Sequence, residues 1–285
     1  MRVVVAGARG MLGQDLVEAC VGRGQEVFAL GRSDLDVTDA GACDEVLTEL
    51  HPDAVINCAA WTDVDGAETD EPGAMKVNDV GAGNLAAAAA SSGGRILYVS
   101  SDYVFDGQKR SPYVESDVPG AISAYGRSKA AGETSTAFAN DRHMVVRSSW
   151  LFGTRGGNFV ETMLRLASER SEVVVVSDQV GAPTYTRHLA AALAELIETD
   201  QYGIHHIAPA GKCSWFDFAQ EIFDIENADC RVMAGTTEML GRPAPRPAYS
   251  VLGTERHGEP VLPNWKDGLR QYLRERASLR TEVNR

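Results

Sequence analysis

Through the first half of the chain, short uninterrupted apolar runs alternate with stretches whose apolar residues recur at helical spacing. The runs are Val3 to Ala6, Glu26 to Leu30, Ala54 to Asn57, Arg95 to Ser100 and Met144 to Arg147. Strands that are apolar throughout, rather than at every second position, are buried on both faces, which is the mark of a parallel sheet covered by helices. Helices are predicted from Met11, from Ala40, from Pro72 through the alanine run, and from Ala124 to about Ala139. Repeated βαβ units of this kind predict an α/β fold with a doubly wound parallel sheet.

After Trp150 the pattern breaks into shorter pieces. A helix is predicted from Asn158, a strand over Glu172 to Val176, a helix over Arg187 to Glu198, a strand over Gly203 to Ile207, and helices from Trp215 and from Asn264. Arg242 to Pro247 is predicted extended or looped, because each proline lacks a donor and restricts the residue before it. The expected organisation is a nucleotide-binding domain over 1–150 and a smaller, mainly substrate-binding lobe over 151–285, with a soft boundary and segments that interleave.

Composition narrows the function. With 285 residues, 44% hydrophobic and 24% charged, the chain matches a soluble globular protein. Its formal charge of -13 repels nucleic-acid phosphates and anionic lipid, so neither nucleic acid nor a membrane is expected as a partner. Cys20, Cys43, Cys58, Cys213 and Cys230 form an odd set without a CxxC, which suits a reducing compartment. The apolar stretch in MRVVVAGARG is too short for a signal peptide, and the expected location is cytoplasmic. His205 and His206 are adjacent in a predicted strand and point to opposite faces, so they are read as structural. Asp63, Asp65 and Glu68 are read as a solvated acidic face.

Directly after the first strand comes Gly7-Ala8-Arg9-Gly10-Met11-Leu12-Gly13, a GxxGxxG that opens a helix. Glycines there allow a tight turn, close backbone approach to a pyrophosphate and close packing of helix on strand, and the helix N-terminus faces the phosphates. This is the dinucleotide loop of a Rossmann fold. The second strand ends in Leu30-Gly31-Arg32-Ser33 where a NAD-selective site usually carries an acid, and a guanidinium suits a 2′-phosphate. NADP(H) is the expected cofactor; NAD(H) stays open, with Asp34 or Asp36 on the ribose.

Tyr125 and Lys129 lie four apart, on one helix face a turn apart, and a neighbouring ammonium is expected to lower the pKa of the phenol. Ser101 follows the fourth strand, at the strand end where open α/β sheets bind ligands. In this order along the chain, the three form a candidate catalytic set.

The chain resembles the extended short-chain dehydrogenase/reductases, and within them a branch of keto-sugar-nucleotide reductases, over nearly its whole length. The likeness rests on GARGMLG at Gly7, LDVTD at Leu35, NCAAWTDVDGAE at Asn57, VSSDYVFDG at Val99, YGRSK at Tyr125, RSSWLFG at Arg147, DQVGAPT at Asp178, RPAYSVL at Arg246 and LPNWKDGL at Leu262. It implies reduction of the C4 ketone of dTDP-4-dehydro-L-rhamnose to dTDP-L-rhamnose, with Ser101 in the place of a catalytic threonine, Tyr125 as proton donor and Lys129 on the ribose. Gly7, Gly10, Met11, Leu12, Gly13, Asp36, Val37, Ala59, Ala60, Trp61 and Thr62 match cofactor-contacting positions. Val64, Asp102, Tyr103 and Trp150 match positions around the sugar of a dTDP-linked 4-keto-6-deoxy substrate, although Trp150 after a buried strand equally reads as core.

Two departures stand out. Where some members carry an acid after GAPT that binds Mg²⁺ at a dimer interface, this chain has Tyr185-Thr186-Arg187, so no metal site is assigned, Mg²⁺ is left without support, and monomer and homodimer both stay open. Trp61 stands where a smaller aromatic or His is common. Two other functions are kept beside the leading one: a 4-ketoreductase for a different dTDP-6-deoxyhexose, and a non-catalytic NADP-binding regulatory subunit.

Overall fold

The computed structural model describes residues 1–283. Strands β1 (Arg2–Ala6), β2 (Glu26–Leu30), β3 (Ala54–Asn57), β4 (Arg95–Ser101) and β5 (His143–Ser148) are joined by a sixth, Gly203–His206. All pairings are parallel, and the order from one edge is Gly203–His206, β5, β4, β3, β1, β2. The doubly wound parallel sheet read from the apolar runs is therefore the architecture observed.

The two faces of β1 explain why its sequence is apolar throughout. Val3 and Val5 pack with Leu12 and Leu16 of the helix Met11–Gly22 and with Leu189 and Leu193 of the helix Thr186–Leu196. Val4 and Ala6 face the other way, onto Leu47 of the helix Ala40–Leu50 and Leu85 and Ala89 of the helix Gly81–Ser91. Each fully buried Val or Leu contributes about 1.5–3 kcal/mol relative to exposure. The chain thus returns to the sheet after residue 150, through Thr186–Leu196 and Gly203–His206.

A second core gathers Phe152, Val160, Phe218, Ile222, Leu269 and Tyr272. It lies among the helices Phe159–Glu169, Trp215–Glu226 and Trp265–Val283 and a two-stranded parallel ribbon, Glu172–Val176 with Arg231–Gly235. Asn158 and Ser214 start two of these helices as N-caps, the latter in a full capping box with Asp217. The strand Arg231–Gly235 and the short helix Thr237–Leu240 were not anticipated from the sequence. Arg242 to Pro247 is loop, as its prolines require.

A short helix Val64–Thr69 comes first, and the helix expected from Pro72 is three pieces: Glu71–Met75, a π-helical turn Lys76–Val80, and Gly81–Ser91. Asp63 and Asp70 cap Val64–Thr69 and Glu71–Met75, and Pro72 sits in a first turn where its missing N–H has no partner to lose. The π turn sets Asn78 in a buried polar junction. Its Nδ2 donates to Ser128 Oγ at 2.9 Å and to the Trp61 carbonyl at 3.1 Å, its Oδ1 accepts from the Trp61 N–H at 2.8 Å, and its carbonyl accepts from the Tyr98 hydroxyl at 2.9 Å. One side chain thereby joins the loop after β3 to the helix Ala124–Ala139 that carries Tyr125 and Lys129.

All five cysteines are free thiols, and no helix among the described residues is long and apolar enough to cross a membrane.

The junction leaves no room at Gly132, where a Cβ would lie 2.0 Å from the Asn78 carbonyl oxygen and 2.5 Å from the Tyr98 hydroxyl. Gly132→Ala should destabilise the fold by roughly 2–3 kcal/mol. Gly22→Ala, whose Cβ would meet nothing within 4 Å, should be neutral or stabilising by up to about 1 kcal/mol. Urea unfolding of the two variants beside the parent protein checks both signs; equal stability of the two would refute the packing argument.

Candidate active site

The strand order reverses at β1, which has β2 on one side and β3 on the other, and this opens a crevice beyond their C-terminal ends. Gly7 is in the left-handed region (φ +74°), and a Cβ there would lie 2.6 Å from the Ala59 nitrogen. At Gly13 a Cβ would come within 2.3 Å of the Gly7 oxygen. Gly10 is the N-cap of the helix Met11–Gly22 and makes no side-chain cap, so the first helical N–H groups stay free for an anion.

The crevice is a cavity of about 290 Å³ lined by Gly7, Arg9, Gly10, Arg32, Asp36, Val37, Ala59, Ala60 and Trp61, among others. Eight of the residues expected to contact a cofactor are therefore brought together. Leu12 and Gly13 are buried behind the loop, Met11 is half-buried, and Thr62 is exposed just beyond Trp61.

Arg9 was missed by the sequence reading although it lies inside the glycine motif. Its Nη2 is 3.2 Å from Asp34 Oδ2, and that same carboxylate accepts from the Gly31 N–H at 2.8 Å. Asp34 is thus tied down by two partners. Asp36 accepts from the backbone and hydroxyl of Thr38 at 3.0 and 2.9 Å, which hold its pKa below the usual carboxylate value.

Ser101, Tyr125 and Lys129 meet at the C-terminal end of β4. The N-cap Ser123 and Glu68, which accepts from the Ala124 N–H at 2.7 Å, start the helix that presents Tyr125 and Lys129. The Ser101 hydroxyl donates to Asp102 Oδ1 at 3.0 Å, accepts from the Tyr103 N–H at 3.2 Å, and hydrogen-bonds with Tyr125. Lys129 Nζ donates to the Val99 carbonyl at 2.7 Å and lies 4.1 Å from the centre of the Tyr98 ring.

Burial dominates the electrostatics here. It pushes the Tyr125 phenol up to about 12, against the pull of Ser101, and brings the Lys129 ammonium down to about 7, against the attraction of Glu133. The expectation that Lys129 would lower the phenol's pKa is corrected: spacing places the two on one face, but the ammonium is turned to the Val99 carbonyl and the phenol responds to desolvation first.

Beside this set lies a second cavity of about 390 Å³, with apolar walls that include Phe159, Val174 and Trp215 and with Tyr103, Gln179, Arg242 and Arg246 at its edges. Tyr103 meets Tyr125 edge-on, with ring centres 5.6 Å apart. Trp150 is not at the cavity wall but directly behind it, stacked on Trp215 at 3.6 Å and 5°. Its backbone is left-handed (φ 49°), and only a glycine at 181 leaves space for its indole. Val64 opens the helix Val64–Thr69 and is half-buried.

Of the acidic face assigned to Asp63, Asp65 and Glu68, only Asp63 is exposed, and all three carboxylates are engaged. Asp63 caps a helix, Glu68 holds the start of the Tyr125 helix, and Asp65 takes both arms of Arg246 at 3.0 Å, Arg242 at 3.2 Å and the Ala244 N–H at 3.1 Å. Burial opposes ionisation of Asp65, but these donors outweigh it and bring its pKa to about 2. His205 and His206 do diverge: His205 Nδ1 is 2.6 Å from Glu259, whereas His206 Nδ1 faces the Gly253 carbonyl at 2.8 Å. Arg187 pairs with Glu275 and Glu18, and no group of three or more acid, His or Cys side chains among the described residues is placed to hold a metal.

A glycine-loop crevice that opens beside a strand-end serine and a YxxxK helix is the arrangement of an extended short-chain dehydrogenase/reductase. The family model described as RmlD substrate binding domain matches residues 1–278. A dTDP-4-dehydrorhamnose reductase of Streptomyces griseus is 42% identical over 278 residues, covering 94% of this chain and 91% of its own. A dTDP-4-keto-6-deoxy-D-glucose reductase of Streptomyces niveus is 40% identical over 275 residues, covering 95% of this chain and 96% of its own. The crystal structure of a dTDP-4-dehydrorhamnose reductase from Bacillus anthracis in complex with NADP superposes with a TM-score of 0.94 at 39% identity, covering 96% of this chain and 99% of that one. The chain belongs to the dTDP-4-dehydrorhamnose reductase family.

Asp102, directly after β4, is 1% exposed. Burial raises its carboxyl to about 6, opposed by the hydroxyls of Ser250 and Ser101. A group whose folded pKa lies above its unfolded value, here 3.8, adds stability that is fully present below 3.8 and is lost as pH rises through about 6. Asp102→Asn, which stays neutral, should therefore gain on the parent protein between pH 4 and pH 7, by up to about 3 kcal/mol. Chemical denaturation across that range reads it, and a stability difference that does not vary with pH would show that the carboxyl ionises freely.

Proposed function

We propose that the chain catalyses NADPH-dependent reduction of the C4 ketone of dTDP-4-dehydro-L-rhamnose to dTDP-L-rhamnose. The observation that carries this is the convergence of Ser101, Tyr125 and Lys129 beside the glycine-loop crevice, in a chain that matches reductases of this kind from end to end. NADPH, when bound, supplies the hydride; the residues lining the crevice fit its pyrophosphate and adenosine, with the free N–H groups of the first helical turn after Gly10 for the one and Arg32, with Arg9 beside it, for a 2′-phosphate.

The protein's part is binding, orientation and proton supply. A phenol held near 12 is protonated at neutral pH, so Tyr125 has a proton to give to the ketone oxygen as it gains negative charge. Ser101 stabilises the same oxygen through its hydroxyl. Its one proton is shared with Asp102 Oδ1, so the protonation of Asp102 bears on how freely Ser101 can donate. Lys129, one turn from Tyr125 on the same helix face, is suited to the nicotinamide ribose. On the far side, Phe159 and Trp215 offer flat apolar walls to a base, and Arg242 and Arg246 offer guanidiniums to a diphosphate.

A second reading, a 4-ketoreductase that acts on another dTDP-6-deoxyhexose, is favoured by the Streptomyces niveus relative at similar identity. The two differ in which ketone face meets the hydride, a matter of pocket shape. Purified protein given NADPH and dTDP-4-dehydro-L-rhamnose should oxidise the cofactor and yield dTDP-L-rhamnose. Turnover with another 4-keto-6-deoxy sugar alone would select the second reading. Binding of NADPH without turnover on any of them would leave a regulatory subunit.

Tyr125→Phe should lower kcat by roughly 10²-fold or more with NADPH binding nearly intact. Ser101→Ala should slow single-turnover hydride transfer, and Ser101→Thr should keep it; near-parental rates for the Tyr125→Phe variant would reject the proton-donor role.

Arg32→Ala should weaken NADPH by about 1.5–3 kcal/mol and leave NADH almost unchanged, as titrations of both coenzymes would read. Equal losses would remove Arg32 from the 2′-phosphate site.

A further inference from the structure

Tyr125, Lys129 and Glu133 occupy successive turns of one helix face, and only the first two enter the mechanism above. Glu133 is almost completely enclosed, its side chain 8% exposed and that of its partner Arg147 1%. Arg147 Nη2 and Nε reach the two carboxylate oxygens at 2.6 and 2.8 Å, and the Ser100 hydroxyl donates to Oε1 at 2.5 Å. The guanidinium is itself fixed, with its face towards the Phe105 ring and Nη1 3.4 Å from His206 Nε2. His206 Nδ1 faces the Tyr113 and Gly253 carbonyls, which assigns its proton to that nitrogen and leaves Nε2 as an acceptor. The carboxylate therefore cannot turn away.

Such a pair is costly to bury and is weak evidence of stabilisation by itself. Its position suggests another use. Lys129 is surrounded by groups that do not neutralise it: the Val99 carbonyl and the Tyr98 ring from β4, and the Cys58 thiol just past β3. Asp79, on the π turn, is hydrogen-bonded to Ser135. Glu133, one helical turn from Lys129, attracts its ammonium while Arg147 holds the carboxylate directly, so two cations draw on one buried anion.

We propose that Glu133 is a positioning residue for the reduction: clamped by Arg147 and Ser100, its carboxylate is the fixed anion that keeps the Lys129 ammonium charged in the closed site. This rests on the assignment of Lys129 to the reaction. The opposing pulls give variants of opposite sign. Glu133→Gln removes the anion and should move the titration of Lys129 to lower pH by about one unit or more. Arg147→Gln releases the carboxylate to the lysine and should move it to higher pH.

Two readouts separate this inference from the function it rests on. Titration of Lys129 in protein labelled with ¹³C-lysine, with Lys129→Met to assign its resonance, needs no turnover. The alkaline limb of single-turnover NADPH oxidation on dTDP-4-dehydro-L-rhamnose is the second. Opposite displacements of the resonance, matched by the alkaline limb, are expected. An unmoved resonance in the folded Glu133→Gln and Arg147→Gln variants, or activity lost equally at every pH with the limb in place, overturns the proposal. If Glu133→Gln does not fold, the upward shift in Arg147→Gln still decides. A resonance that moves as expected in a protein that turns over no keto-sugar would retain the electrostatic link and reject the assigned reaction.

Discussion

A side chain at residue 7 would have its first carbon 2.6 Å from the Ala59 nitrogen, so β1 and β3 can converge at their C-terminal ends only because β1 runs into glycine. That approach, with Gly13 pressed against the Gly7 oxygen, brings the helix Met11–Gly22 down onto the sheet and aims its free N–H groups into the crevice. The rest of the site follows from the same constraint. A sheet buried on both faces leaves little interior room for polar groups, and those that line the site sit where the strands end: Asn57 closes β3, and Ser101 closes β4 with Asp102 directly after it.

Enclosure then drives several ionisable groups towards their neutral forms. Tyr125 is held near 12, Lys129 near 7 and Asp102 near 6, each with desolvation as the leading cause. For the phenol the result is useful directly, because a donor must be protonated at the working pH. For the lysine, enclosure works against the charged form. A buried carboxylate one turn further along the helix is the arrangement that offsets it. The same low dielectric that destabilises a lone ammonium strengthens its attraction to a nearby fixed anion.

What could be read from the sequence was what local pattern encodes. Double-sided burial writes apolar runs, so all five strands of the first half were located to within a residue or two. Glycine spacing announced the loop, and a spacing of four placed Tyr125 and Lys129 on one face. The parts that escaped join residues far apart in the chain. Nothing near Asp65 reveals that it will meet Arg242 and Arg246, and nothing near Glu133 reveals Arg147 or His206. The π turn escaped for a related reason, because its cause is the set of partners collected by Asn78 from β4, the β3 loop and the Tyr125 helix. Spacing also fixes a face without fixing where a long side chain ends, so the direction of the Lys129 ammonium was not legible.

Asp65 shows how such long-range pairings bind the proline-rich strap to the helix that carries Tyr125. Its carboxylate orders the proline-rich strap by holding Arg242, the Ala244 N–H and Arg246, and Arg246 hydrogen-bonds in turn with the Tyr103 hydroxyl. The Tyr103 ring stands edge-on to Tyr125, while its carbonyl lies so close to the start of the Tyr125 helix that only glycine fits at 126. A continuous line of contacts therefore runs from the strap through Arg246 and Tyr103 to Tyr125. The apolar cavity and the Ser101, Tyr125 and Lys129 set are joined by one connected polar network, and the two guanidiniums that line the cavity are held in place by the same carboxylate that the sequence presents as an ordinary surface acid.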